Sequence, residues 1–212
     1  MSRPRDATVN LSSASRRGWR GRRGRSLLGR LFLSLALSAI AVQTGLSAQP
    51  TEADASAIEA AMLRNFARYV TWPATAFPTD SSPWRLCILG PDPFGSLLER
   101  TVGGRVEQGR GFSIVRSADP TALASCHIVF IAATDTPKRR AALAAWKSLP
   151  ILTVSEAPGF LQEGGAIRFD VGDRVELSVN LDQARSLALK VQTKLLEVAR
   201  EVLDNGSVRR RR

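Results

Sequence analysis

Short apolar runs alternate with helix-like segments through the middle of the chain, and this alternation most restricts its fold. The runs occupy residues 85–90, 111–116, 127–131 and 151–154. Residues 94–102 and 137–148 lie between them, each with a proline at the predicted helix start, where the missing amide hydrogen is tolerated. Strands that alternate with helices predict a mostly parallel sheet covered by helices.

The pattern changes after residue 160. Residues 166–170 and 175–179 alternate in polarity and are joined by Gly172-Asp173, which predicts an antiparallel hairpin. Residues 182–203 show an aliphatic stripe at helical spacing, which predicts a long helix. The stripe consists of Leu187, Val191, Leu195, Val198 and Val202. We therefore expect an α/β fold: a single domain with a mostly parallel central sheet, helices on both faces, a C-terminal antiparallel hairpin and a long C-terminal helix.

A predicted helix opens the domain and must stop before Pro73, because proline disfavours helical geometry at the preceding Trp72. Its apolar stripe recurs at spacings of four, four and three residues. The stripe consists of Ile58, Met62, Phe66 and Tyr69. Trp72 and Phe77 follow the helix as apolar anchors. Asn65 falls inside the apolar arc, where a polar group requires a hydrogen-bond partner.

The formal net charge of +11 is concentrated at the two ends of the chain. Residues 1–48 contribute +8 and Arg209–Arg212 contribute +4, whereas residues 49–208 sum to −1. Because a nearly neutral domain lacks the basic face that phosphates require, nucleic acid is excluded as a partner of the domain. We expect the domain to span residues 51–204 and residues 205–212 to form a disordered basic tail.

Residues 1–48 have the order of a secretory signal peptide. An arginine-rich segment ends at Arg30, and the apolar residues 31–42 and the small-residue stretch 46–48 follow. An apolar run of this length is short for a bilayer span, which favours cleavage, although an uncleaved signal anchor stays open. Arginine pairs within residues 16–23 also leave a twin-arginine export route open. The sequence therefore predicts an exported protein.

Residues suited to catalysis are few, and the sequence predicts a protein that is not an enzyme and needs no cofactor. His127 is the one histidine, and its place at the start of a buried run favours a structural role. The sequence has no nucleophile elbow, no phosphate-binding glycine loop and no His or Cys pair at metal-ligand spacing. Asp170, Asp173 and Glu176 cluster around the predicted hairpin, where a solvated turn explains them better than a metal site.

Cys87 and Cys126 are the two cysteines of the chain, and each belongs to or precedes a predicted strand. An even number of cysteines in an exported protein favours a disulfide, with two buried thiols as the alternative.

Three polar residues form a candidate cluster. Arg168 and Asn180 flank the predicted hairpin, and Asn65 needs a partner. Together they predict either a hydrogen-bonded cluster that braces the fold or a ligand pocket, and bracing is the favoured interpretation.

Seven short segments, in this order, resemble the YfiR-like family of bacterial periplasmic proteins over residues 57–199. They are residues 61–73, 87–95, 126–131, 152–155, 158–160, 164–169 and 179–185. The resemblance implies a non-enzymatic periplasmic protein that can form homodimers. It also implies binding to the periplasmic part of an inner-membrane diguanylate cyclase, whose release raises cyclic di-GMP and promotes biofilm. The cysteine pair of the family matches Cys87 and Cys126, whereas a second pair found in the type member is missing from this sequence.

From this resemblance we expect a repressor that holds a membrane signalling protein inactive. Its partner surface is predicted near apolar residues that flank the helical and strand segments. These residues are Trp72, Phe77, Trp84 and Phe160. Two other hypotheses stay open: a periplasmic small-molecule sensor with its pocket near Asn65, Arg168 and Asn180, and a hydrolase that would need a deep cleft and an acidic partner at His127.

Overall fold

The central sheet has eight strands in a computed structural model that describes residues 51–211. The helices are α1 (Glu52–Tyr69), α2 (Ser96–Val102), α3 (Thr136–Ala145), α4 (Leu181–Ser186) and α5 (Thr193–Val198). The strands are β1 (Val70–Thr71), β2 (Trp84–Leu89), β3 (Phe112–Ser117), β4 (Ile128–Ile131), β5 (Leu152–Ser155), β6 (Ile167–Val171), β7 (Val175–Asn180), β8 (Lys190–Val191), β9 (Glu201–Asp204) and β10 (Ser207–Arg210). Short 3-10 turns occupy Ala74–Ala76 and Pro120–Leu123.

The strand order is β10-β9-β7-β6-β5-β4-β2-β3, and β1 pairs separately with β8. Strands β3, β2, β4, β5 and β6 run parallel to their neighbours, whereas β6 and β7 form the predicted antiparallel hairpin. Strand β9 runs parallel to β7 and antiparallel to β10. The predicted mostly parallel α/β sheet is therefore confirmed, and it continues into two strands that the sequence analysis did not foresee.

Both faces of the sheet are covered, because side chains along a strand point alternately to opposite sides. Leu86 and Ile88 of β2 join a core cluster that includes residues of α1 and α2. Cys87 and Leu89 face the other way and pack with Trp146, which follows α3. The prediction of helices on both faces is confirmed.

Helix α1 begins at a capping box, in which the Thr51 hydroxyl accepts from the Asp54 N–H and the Asp54 carboxylate accepts from the Thr51 N–H. Its buried face differs from the predicted stripe. Phe66 is buried as expected, but Ile58 is 40% exposed and Met62 and Tyr69 are only partly buried. The buried residues are Ala55, Glu59, Ala60, Leu63, Phe66 and Ala67.

Helix α1 ends three residues before the predicted stop at Trp72, because the chain that follows enters a strand pair. Strand β1 pairs with β8, and the Gln192 N–H donates to the Tyr69 carbonyl at 2.9 Å. The Gln192 side-chain amide donates to the Arg68 carbonyl, and that of Gln108 donates to the Ala67 carbonyl. Partners distant in sequence therefore satisfy the free carbonyls at the helix end.

The predicted long C-terminal helix is wrong. Residues 182–203 instead contribute to α4, β8, α5 and β9. A two-residue turn at Asn205-Gly206, with φ of 51° and 71°, then reverses the chain into β10. The Asp182 carboxylate accepts from the Gly206 and Asn205 N–H groups at 2.9 and 2.8 Å, and these bonds hold the Asp182 pKa below its usual range.

The prediction of a disordered basic tail is also wrong for the described part of the chain. Ser207–Arg210 form the edge strand β10, where Arg209 pairs with Asp204 at 2.8 Å and Arg210 with Glu201 at 2.9 Å. The predicted signal peptide, residues 1–48, lies outside the described residues. Within residues 51–211, no helix is long and apolar enough to span a bilayer.

Gly165→Ala is expected to destabilise the fold by about 1–3 kcal/mol, because the new Cβ would overpack the core. It would lie 2.2 Å from Cε1 of Phe160, whose ring is fully buried. Chemical denaturation measures the change in unfolding free energy. Gly172→Ala is the matched control, since its Cβ would meet nothing within 4 Å, and a similar loss in both variants would contradict the overpacking argument.

Candidate functional site

The two cysteines form a disulfide, as predicted. Cys87 in β2 and Cys126 just before β4 are bonded, with their Cα atoms 6.2 Å apart and a sequence separation of 39. Both are buried in the core cluster that contains Trp146. The bond therefore lies inside the domain, beneath the α3 face of the sheet, and ties two neighbouring strands together.

Three of the four residues predicted to form a partner surface belong to the core, so this prediction is wrong for them. Trp72, Trp84 and Phe160 are buried, and the two tryptophan rings pack edge to face with their centroids 4.9 Å apart. Phe77 is partly buried, and the Arg110 guanidinium covers its ring at 3.9 Å from the centroid. These aromatic side chains fix the end of α1 against the start of β2.

His127 has a structural environment. Its Nδ1 accepts from the Arg85 N–H at 2.9 Å, so the proton lies on Nε2, which donates to the Ala76 carbonyl at 3.1 Å. The ring stacks on Phe77 with centroids 4.3 Å apart, and burial lowers the His127 pKa below its usual range. A cavity of about 390 Å³ beside it has no acidic lining residue. The requirement of the hydrolase hypothesis, an acidic partner at His127, is not met.

Asn65, Arg168 and Asn180 do not form the predicted cluster. No hydrogen bond joins any two of them within residues 51–211. Asn65 accepts from the Arg64 guanidinium at 3.3 Å, and Arg168 is paired with Asp170.

Asn180 braces the fold in a different way. Its side-chain oxygen accepts from the Gln183 N–H at 2.9 Å and so caps α4, while its amide nitrogen donates to the Leu161 carbonyl at 3.1 Å. The end of β7, the first turn of α4 and the loop before β6 are thereby held together.

A concave surface of about 830 Å³ lies beside the β6–β7 hairpin, and we name it the hairpin concavity. Its charged lining residues are Glu156, Arg168, Asp170, Asp173, Arg174, Glu176, Arg200 and Arg211. Four carboxylates face four guanidinium groups in this set, so the surface has no net charge. The Arg168 Nε is buried without a hydrogen-bond partner, although its Nη2 binds Asp170.

Two acidic residues of the hairpin, Asp170 and Glu176, are ion-paired. Glu176 pairs with Arg174 at 2.6 Å and lies 3.7 Å from Arg200. Asp170 accepts from the Ser178 hydroxyl at 2.6 Å in addition to its bond with Arg168. Over the described residues, no group of three His, Cys, Asp or Glu side chains is placed to hold a metal ion.

Glu59 is a buried acid that the sequence analysis missed. It lies on the inner face of α1 with 2% of its surface exposed, and its Oε1 has no hydrogen-bond partner. Burial, together with the neighbouring Glu156 carboxylate, raises the Glu59 pKa to about 8. Its spacing of four from both Ala55 and Leu63 on the buried face was the available sequence signal. Glu59 is therefore protonated at neutral pH, and its neighbour Glu156 lines the hairpin concavity.

A second cleft, of about 670 Å³, lies at the carboxyl ends of β4 and β5. Its charged lining residues are Asp92, Glu156 and Arg139, and Arg139 is paired with Glu163 at 2.7 Å in a nearly buried ion pair. The Arg139 guanidinium also donates to the carbonyls of Ala133 and Thr134 and to the Thr136 hydroxyl. Because these bonds occupy the guanidinium, Arg139 braces the loop before α3 and is not free for a ligand.

Glu59→Gln is expected to flatten the pH dependence of stability between pH 7 and 9. Because the folded-state pKa of about 8 exceeds the ordinary 4.5, the wild-type contribution is complete below about pH 4.5 and is lost as pH rises through 8. The wild type should lose at least about 1 kcal/mol of unfolding free energy over this range. Denaturation at pH 7, 8 and 9 measures the loss. Glu197→Gln, at an exposed position, should keep the wild-type slope, and an unchanged slope in Glu59→Gln would contradict the assignment.

Removal of the disulfide is expected to lower the unfolding free energy by about 2–4 kcal/mol, because the bond restricts the unfolded chain across 39 positions. The double variant Cys87→Ala/Cys126→Ala is compared with the wild type by urea denaturation, with and without reductant. Reductant should destabilise the wild type and leave the double variant unaffected. Equal wild-type stability in both conditions would show that the bond does not contribute.

Comparison with known families identifies one match. A family model described as YfiR/HmsC-like matches residues 56–200, which is well over half of the chain and includes the disulfide, the aromatic residues and the hairpin. The family is a regulator-type family of periplasmic proteins rather than a class of enzymes.

Proposed function

Because the chain belongs to the YfiR/HmsC-like family, we propose that it is an exported regulator that acts in the periplasm. It binds the periplasmic module of an inner-membrane signalling protein of the diguanylate cyclase type and holds that protein inactive. The family match over residues 56–200 is the observation on which this proposal depends. We extend to this chain the capacity of the family to form homodimers.

The compartment is supported by two features. The Cys87–Cys126 disulfide suits an oxidising environment such as the bacterial periplasm. The arginine-rich segment followed by apolar residues 31–42 has the order of an export signal.

A binding role, rather than catalysis, is supported by the state of the chemically capable side chains. Both ring nitrogens of His127 are engaged by backbone groups, and the Arg139–Glu163 pair braces a loop. Asp170 and Glu176 of the hairpin are paired with arginines. These side chains stabilise the fold or are suited to recognition, and none of them is an activated nucleophile or base.

A repressor of this kind acts by conformational selection. It must bind the inactive conformation of its receptor more tightly than the active one, since a partner with equal affinity for both shifts no equilibrium. A specific interface of ordinary size needs about 800 Å² on each partner, which a domain of this size can provide.

A small-molecule sensor is the second candidate, favoured by the hairpin concavity. Arg168 lines that surface, and its buried Nε–H has no hydrogen-bond partner, so a ligand that reached this group would satisfy a buried donor. The predicted pocket with Asn65 and Asn180 is not part of this proposal, since their hydrogen bonds lie elsewhere.

Deletion of the gene in its native bacterium is expected to raise cellular cyclic di-GMP, because the receptor is released from repression. Cyclic di-GMP is measured by mass spectrometry in the wild type, the deletion strain and the complemented strain, and complementation should restore the low level. Unchanged cyclic di-GMP would count against the cyclase-repressor proposal. If the purified domain then showed a saturable rise in Tm with a periplasmic metabolite, the sensor would replace it.

A further inference from the structure

The loop formed by residues 105–110, which we name the basic loop, is anchored far more firmly than its surface position requires. The Glu107 carboxylate, almost fully buried, accepts from Arg68 at 3.0 and 3.4 Å and lies 3.9 Å from the Arg64 Nε. The Gln108 side chain donates to the Ala67 carbonyl at 2.8 Å. These bonds attach the loop to the last turns of α1.

The other side of the basic loop is attached to β2 and to the chain before it. The Trp84 indole N–H donates to the Glu107 carbonyl at 2.8 Å. The Arg110 guanidinium donates to the carbonyls of Thr79 and Ser82 at 2.9 and 2.8 Å while it covers Phe77. A loop held on both sides in this way keeps one conformation before any partner binds, which lowers the entropy cost of association.

The side chains of Arg105 and Val106, at the start of the basic loop, do not contribute to this anchoring. Val106 is 63% exposed, the largest exposed fraction among the large apolar side chains of the described chain. The Arg105 guanidinium is exposed and makes no hydrogen bond or ion pair within residues 51–211. The side chains that hold the loop belong to positions 107, 108 and 110, so the first two residues are presented to solvent.

The local charge is strongly positive for a nearly neutral domain. Among the described residues, Glu107 is the one carboxylate ion-paired with Arg64, Arg68, Arg105 or Arg110, so these five side chains sum to +3, whereas residues 49–208 sum to −1. The single carboxylate is buried beneath the guanidinium groups, and Arg68 keeps more than half of its side chain exposed. An exposed valine on its own is ordinary, but a rigidly held valine within this positive field has the composition of a recognition surface.

On the basis of the proposed function, we propose that Arg105 and Val106, with Arg68 beside them, form the docking surface for the receptor. The partner is a protein surface of complementary chemistry: acidic side chains around an apolar recess that accepts Val106. The fixed loop supplies the apolar contact, and the arginines supply orientation and a salt-dependent association rate.

Two substitutions test the surface without disturbing the anchors. Val106→Asp removes the apolar contact and adds repulsion to an acidic partner, and Arg105→Glu reverses an unpaired charge. Val198→Asp and Lys147→Glu are the matched controls, since Val198 is 55% exposed on α5 and Lys147 is exposed in the segment that follows α3, outside the basic loop. Thermal melts should show a Tm unchanged from wild type in all four variants.

Each variant is expressed in the deletion strain, and cyclic di-GMP is measured. Val106→Asp and Arg105→Glu should each weaken receptor binding roughly tenfold and lose repression, while both controls repress as the wild type does. Full repression by both loop variants, in a strain where deletion itself raises cyclic di-GMP, would overturn the docking surface and leave the proposed function intact.

A photo-crosslinking amino acid at position 106, compared with one at position 198, tests whether the proposed docking surface contacts a partner. This test does not depend on the cyclic di-GMP measurement. The expected result is an adduct in living cells at position 106 only, mapped by mass spectrometry to an acidic segment of an inner-membrane protein and lost when Arg105→Glu is added. If deletion leaves cyclic di-GMP unchanged, the cyclase proposal fails, but this adduct would still support the surface. No adduct, equal adducts at both positions, or an adduct on a basic segment would overturn it.

Discussion

The burial of Trp84 is the interaction on which much of this domain depends. Trp84 is the first residue of β2, and its ring lies 4.9 Å from Trp72, 5.0 Å from Phe77 and 5.5 Å from His127, measured between centroids. Its indole N–H donates to the Glu107 carbonyl. One side chain thereby joins the chain leaving α1, the start of β4 and the basic loop. A tryptophan is well suited to this role, because its ring buries a large apolar area and its N–H hydrogen bond fixes the orientation of the ring.

Two buried titratable groups give the domain opposite responses to pH. The lowered pKa of His127 means that its stabilising contribution is complete above about pH 6.5 and is lost as pH falls, because burial favours the neutral ring. Glu59 has a raised pKa, so its contribution is complete in acid and is lost as pH rises through about 8. The Glu59 contribution declines between about pH 4.5 and pH 8, whereas the His127 contribution declines as pH falls below about 6.5, so the two groups act in opposite directions over an overlapping range.

Sequence periodicity correctly predicted the strands whose own residues show the apolar run or the alternation expected of a strand. The apolar runs became β2, β4 and β5 because their residues are buried on both faces, and the turn after Val171 gave the hairpin. The prediction of a long C-terminal helix was wrong because Leu187, Leu195 and Val202 are buried at helical spacing although Leu187 follows α4, Leu195 lies in α5 and Val202 lies in β9. Strand β8 forms by pairing with β1, and no local sequence pattern contains this contact, which joins Val70 to Val191 and Thr71 to Lys190. The Asn205-Gly206 pair is a local turn signal before β10 that the sequence analysis did not use.

The same difference between local pattern and tertiary context explains why the predicted partner surface was misplaced. Large aromatics after a helix stop can face solvent or core, and sequence alone gave Trp72 and Trp84 no covering neighbour. In the fold they cover each other, and Arg110 covers Phe77. The proposed recognition surface has a different arrangement. In the basic loop, the side chains that make hydrogen bonds and ion pairs face the domain, and the side chains without such bonds face solvent. Since the residues that anchor the basic loop are distant in sequence, from Arg64 to Arg110, that arrangement emerges only when the chain is folded.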